Sequence, residues 1–145
     1  MSKRTVANNE ITFKVWNSRP PTIGFHDATF KGRVYVVHGA ELVLFPISVM
    51  AAALGRDRET IVGWEQDGRW PKSKWVVPDK RCKRWYTRAQ ILSVFEIHWE
   101  LCKGDYGLSH SRHFPLPEFF KRVKAIFHKV DAETVRANKE RSASQ

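Results

Sequence analysis

Gly55 lies between two stretches of helical period, and that junction limits what this chain can fold into more than any other feature. Before it, Ile47, Met50, Ala51 and Leu54 fall on one helical face, directly after Pro46, a residue suited to a helix start. After it, Asp57 is placed to cap a second helix whose Ile61 and Trp64 point inward from one side. A glycine just past the last apolar residue adopts the left-handed backbone that other residues resist. Ala51, Ala52 and Ala53 keep the first helix thin enough for a neighbour to approach closely. Gly68 ends the second helix. The expectation is two short helices locked around a tight turn.

The flanking segments read as strands and further helices. Ile11 to Trp16 alternates, with Ile11, Phe13 and Val15 on one face of a strand that Pro20-Pro21 breaks. Residues 33–45 hold two β-rich runs around His38-Gly39-Ala40, the pattern of a hairpin. Between Arg69 and Tyr86, Trp75-Val76-Val77 and Trp85-Tyr86 suit two short strands joined by a bend over Pro78–Cys82. Thr87 and Gln90 have capping-box spacing and open a helix that runs to about Cys102. A loop over 103–115 precedes an apolar stripe of Leu116, Phe119, Phe120, Val123, Ile126, Phe127 and Val130 on one helix. Past Ala132 the chain is charged and small, and is expected to fray.

With 145 residues, 42% of them hydrophobic, the chain is long enough to bury a core, as one domain or one domain plus an appendage. Its formal net charge of +10 attracts polyanions: nucleic acid first, then an anionic membrane surface or an acidic protein. A merely soluble basic surface accounts for the same number. Cys82 and Cys102 form no CxxC pair, which excludes a disulfide scaffold and a Cys-rich zinc site and fits a reducing compartment. His110 and His113 stand three apart, but Pro115 follows and no carboxylate is near in sequence, so they are read as surface histidines and no metal or cofactor is expected. No apolar run spans a bilayer and the N-terminus lacks a signal segment, so no membrane partner and a cytoplasmic location are expected.

The charged residues carry the chemistry. Arg56, Arg58, Glu59 and Thr60 fall in the first turn of the second helix, with Val62 and Gly63 one turn on. Arginine makes bidentate bonds to guanine, and threonine suits bases or phosphates. An ordinary helical hairpin with solvated charges fits the same pattern. The next segment adds weight to the DNA reading. Arg69, Lys72, Lys74, Lys80, Arg81, Lys83, Arg84 and Arg88 face the single acid Asp79. Such side chains on a strand pair neutralise phosphates while interleaved aromatics pin the strands to a core. Trp64 and Tyr86 are read as core and Trp75 as partly exposed, with base stacking on these rings as an alternative.

The run Gly55-Arg56-Asp57-Arg58-Glu59-Thr60-Ile61-Val62-Gly63-Trp64-Glu65, followed by Gly68, Pro71 and Arg84-Trp85-Tyr86-Thr87, resembles the winged helix-turn-helix of MerR-type regulators and the related phage excisionases. The resemblance covers about residues 45–103. It implies that Arg58, Glu59, Thr60 and Gly63 lie on a recognition helix. It also implies that Lys74–Arg84 forms the wing, with Arg84 near a phosphate and Tyr86 at its base. Val62 stands where the family often has arginine, the Pro71–Arg84 stretch is longer than a minimal wing, and no long dimerisation helix or effector-binding cysteine is recognisable. Small terminase subunits of lambda-like phages carry this fold with other additions.

The expected fold is α+β: a β-rich arm over 1–45, a winged helix-turn-helix DNA-binding domain over 46–103, a loop and amphipathic helix over 104–132, and a flexible tail over 133–145. The expected function is sequence-specific binding of double-stranded DNA, in transcriptional control or as an excisionase-type architectural factor. Arg56, Arg58, Glu59, Thr60 and Gly63 would read the site, and Lys72, Lys74, Lys80, Arg81, Lys83 and Arg84 would hold the backbone. A small terminase subunit marking packaging DNA, and an interaction module that has lost DNA binding, are the alternatives. No catalytic residue is assigned, because no nucleophile has a local base and no phosphate-binding glycine loop is present. Phe119, Phe120, Val123 and Phe127 either complete the core or form a homodimer or higher-oligomer surface.

Overall fold

The computed structural model describes residues 9–17, 24–37, 39–75, 84–103, 108–109 and 111–143. Among them the chain is mixed α+β, with four α-helices and two small antiparallel sheets. Strand β1 (Glu10–Asn17) pairs along its whole length with β2 (Gly24–Lys31). The alternation read in β1 holds: Ile11 and Phe13 are buried and Val15 packs against the core. Its partner β2 was not expected, because GFHDATFK has no apolar alternation to betray it.

The expected hairpin over 33–45 is present as β3 (Arg33–Val37) and β4 (Ala40–Pro46), with Gly39 at φ 78° in its turn. Only Gly32 separates β2 from β3. A β-carbon there would lie 2.6 Å from the carbonyl oxygen of Leu44, so no other residue fits this backbone crossing without a shift. Strand β5 (Trp85–Thr87) completes the sheet by pairing with β4, Phe45 opposite Tyr86.

Of the strand pair expected over 75–86, the described residues show only the ends. Trp75 is not in a strand, and β5 has β4 for its partner. Val76, Val77 and the bend over Pro78–Cys82 lie outside the described residues. Trp75 is also buried, at 6% exposure, and not partly exposed as expected. The alternation along β4 and β5 explains why. Phe45 and Tyr86 face the main core, while Leu44 and Trp85 face the opposite side and need a cover there. Trp75 supplies it, with Tyr35 edge-on to Trp85 at 5.7 Å.

Helices α1 (Ile47–Leu54) and α2 (Arg58–Gln66) flank the turn at Gly55. Gly55 has φ 64° and ψ 33°, and its N–H donates to Ala52 O (3.2 Å) while Arg56 N–H donates to Ala51 O (3.0 Å). That pair of bonds satisfies the last carbonyls of α1. Helix α3 (Arg88–Leu101) opens with both bonds of the expected capping box: Gln90 N–H to Thr87 Oγ1 (3.1 Å) and Thr87 N–H to Gln90 Oε1 (2.9 Å).

Helix α4 spans Leu116–Ala143, well past the Ala132 at which the sequence reading ended it. Residues 133–143 are therefore helix and not a flexible tail. Distant partners hold this stretch: Val135 packs on the Leu44–Trp85 cluster, and Asn138 is fully buried with its amide donating to Val37 O. Arg141 donates to Glu41 O (3.1 Å).

Candidate nucleic-acid interface

Helix α2 divides cleanly into two sides. Ile61, Trp64 and Glu65 are buried, whereas Arg58 and Glu59 are exposed and Thr60, Val62 and Gly63 are half-buried. Asp57 occupies the cap position with extended backbone, but its carbonyl accepts from Thr60 N–H (3.1 Å) and its side chain makes no cap bond. Arg58 and Glu59 form a loose pair at 3.5 Å with both side chains mostly in water. Such a pair contributes about 0–1 kcal/mol and leaves the guanidinium available to another acceptor. At Gly63 a β-carbon would meet nothing within 4 Å, so the helix surface there is open to close approach.

Arg56 is a correction. It was expected to read bases, but its guanidinium turns inward, donates to Ser109 O and lies 5.2 Å over the Trp64 ring. Burial pushes its pKa down, opposed by the nearby Cys102 sulfur. Ser109 Oγ is in turn 2.9 Å from His98 Nε2, and Cys102 Sγ sits 3.8 Å from the same nitrogen. The sequence showed no nucleophile with a base beside it. The fold brings Ser109, His98 and Cys102 together, each at most 2% exposed, where they tie the 108–109 turn to α3. The i,i+4 spacing of His98 and Cys102 was the one legible sign of this contact.

Arg84 has a partner within the chain. It was expected near a phosphate, yet it binds Glu65 through Nη2 at 2.8 Å and Nε at 3.0 Å. Glu65 is only 8% exposed in its side chain and Arg84 28%, so the pair belongs to the support of α2. Lys72 and Lys74 are exposed, with the Lys74 ammonium 5.8 Å over the Trp75 ring. Lys80, Arg81 and Lys83, the middle of the expected wing, lie outside the described residues, as does His110.

The four side chains considered for self-association are used within the chain. Phe119 and Val123 are fully buried, Phe127 and Phe120 nearly so. Trp64 stands edge-on to Phe120 at 4.9 Å, and Trp70 contacts Phe119 (6.0 Å) and Phe127 (6.1 Å). They join α4 to the end of α2 and offer no surface to a second copy. Among the described residues, no three His, Cys, Asp or Glu gather to hold a metal, and no helix is long and apolar enough to cross a membrane.

Asp131 on α4 accepts from Gln90 Nε2 at 2.7 Å. Burial pushes its pKa up, opposed by the hydrogen bond from Gln90, by the nearby Trp75 indole and by the charges of Lys74 and His128. A carboxylate with a raised folded pKa favours the native state most when protonated, and that contribution is lost as pH rises through the folded value. Asp131→Asn keeps the acceptor for Gln90 without the charge. Its melting temperature is expected to exceed that of the wild type at about pH 7, and the gap to close toward about pH 4. A gap that is constant with pH would show that the Asp131 charge costs the fold nothing.

Comparison of the chain with protein-family models, with curated proteins and with solved structures finds no match.

Proposed function

We propose that this chain binds double-stranded DNA sequence-specifically through a winged helix-turn-helix of the MerR type, without catalysis, as a transcriptional regulator or excisionase-type architectural factor. The observation that carries the reading is the division of α2. One side is fixed by Ile61, Trp64 and the Glu65–Arg84 pair, and the other presents Arg58, Glu59, Thr60 and the open backbone at Gly63. A rigid helix with a charged, unobstructed first turn is what a major groove accepts. The order of elements supports it too: β4, α1, a glycine turn, α2, a basic segment, then β5 returning to β4 and leading into α3. In this reading α2 enters the major groove N-terminus first. The segment after Gly68 holds the neighbouring backbone with Lys72 and Lys74, and Lys80, Arg81 and Lys83 continue it. Arg56 and Arg84 hold α2 in place and do not touch DNA.

Selection of binding sites from a random duplex library with the purified protein tests this. One enriched motif is expected, and Arg58→Ala should relax it at a single base pair by about 1–3 kcal/mol of discrimination. An unchanged motif would reduce Arg58 to a phosphate contact. Enrichment of a phage packaging start would instead point to a small terminase subunit. No enrichment at any salt concentration would replace the proposal with a protein-interaction module.

A further inference from the structure

We infer that helix α4 is a second DNA-contacting element, in which Lys121 and Lys124, together with Lys72 and Lys74, grip the phosphate backbone beside the Gly68 end of α2. The inference rests on the DNA-binding reading above and extends it to a helix that nothing in the sequence motif includes.

Three contacts bring the two elements side by side. Lys124 Nζ donates to Gly68 O at 2.8 Å, which sets the first half of α4 against the end of α2. Trp70 then packs on Phe119 and Phe127. Further on, Lys74 and Trp75 come close enough to Asp131 to influence its charge. The 68–75 segment therefore runs along α4 from Lys124 to Asp131, and Lys72, Lys74, Lys121 and Lys124 are each exposed.

Charge is unevenly placed along the first half of α4. At 100° per residue, Lys121, Lys124 and His128 share one outward strip, all three exposed, with Asp131 at its inner edge. The neighbouring outward strip is mixed: Glu118, Arg122, Lys129, Glu133, Arg136 and Glu140, with Arg122 bound to Glu118 and Glu100. Among the described residues, no carboxylate pairs with Lys72, Lys121 or Lys124. A helix that is merely solvated gains from mixed signs on every outward strip, because like charges one turn apart repel. Here Lys121 and Lys124 stand one turn apart with no carboxylate paired to either, beside the basic segment, and a polyanion relieves their repulsion. Lys121 to His128 spans about 10 Å, the axial run of about three phosphates on one strand. Lys124 gives one N–H to Gly68 O and retains two of its three donors.

The test measures affinity for short random-sequence duplex DNA against salt concentration, for the wild type, Lys121→Gln/Lys124→Gln, Lys121→Gln alone and Arg58→Ala. The double variant is expected to bind every duplex more weakly and to flatten the slope of log affinity against log salt by roughly two. Lys121→Gln alone, which leaves the bond to Gly68 intact, should flatten it by roughly one. Arg58→Ala should change the selected motif while the lysine variants leave it as it is. A wild-type slope in Lys121→Gln, with wild-type melting, would overturn the role of α4 while the DNA-binding reading stands. Absence of salt-sensitive DNA binding in the wild type would overturn both.

Discussion

Trp70→Ala is expected to destabilise the protein by about 3–5 kcal/mol, a large part of the total stability of a domain this size. Trp70 is 1% exposed and belongs to no helix or strand. It stands where α2 has ended and the basic segment begins, its N–H donating to Trp64 O at 3.1 Å. Its ring meets Trp64 (5.8 Å), Phe119 (6.0 Å) and Phe127 (6.1 Å). Truncation would open a cavity between two elements, α2 and α4, that have few other ways to find each other. Trp70→Phe should cost far less, about 1–2 kcal/mol. The ring contacts largely persist, and the indole N–H, buried with no hydrogen-bond partner among the described residues, is removed along with its desolvation cost. Urea unfolding would measure both. If alanine cost less than about 1 kcal/mol, the aromatic cluster would not be what holds α4 in place.

The same site shows what was legible in the sequence. Features set by local rules could be read directly: the left-handed Gly55, the Thr87–Gln90 capping box, the hairpin at Gly39 and the alternation of β1 each depend on residues a few positions apart. Features set by distant partners could not. The end of α4 carries the composition of a fraying tail, and it stays helical because Asn138 and Arg141 meet Val37 and Glu41 about a hundred residues away. Charge proved the weakest guide to the candidate site. Arg56, Arg58 and Arg84 look alike as letters in a basic run, yet only Arg58 faces water. Arg56 is claimed by the Ser109 carbonyl and Trp64, and Arg84 by Glu65. Trp75 misled for a related reason: strand alternation puts Trp85 on the outer face of β5, and that face needs a cover the local sequence does not announce.

Arg84→Ala is the second large effect, expected to cost about 3 kcal/mol. The loss comes less from the missing attraction than from what is left behind: a Glu65 carboxylate only 8% exposed, with its paired cation gone. Glu65→Gln should cost less, about 1–2 kcal/mol. An amide oxygen still accepts from the guanidinium, and Arg84, at 28% exposure, can draw on water for the remainder. The double variant Glu65→Gln/Arg84→Ala should then be more stable than Arg84→Ala alone, because the stranded charge is removed; equal stabilities would mean that Glu65 finds another partner. This cycle also separates the two roles open to Arg84. A phosphate contact would flatten the salt dependence of DNA binding by about one in every variant lacking Arg84, whatever residue stands at 65. A support for α2 acts differently. Variants that remain folded at the assay temperature should keep the wild-type slope, and affinity should return with stability when Glu65→Gln is added. The second pattern is expected, because the guanidinium gives two N–H bonds to one buried carboxylate and is itself only 28% exposed.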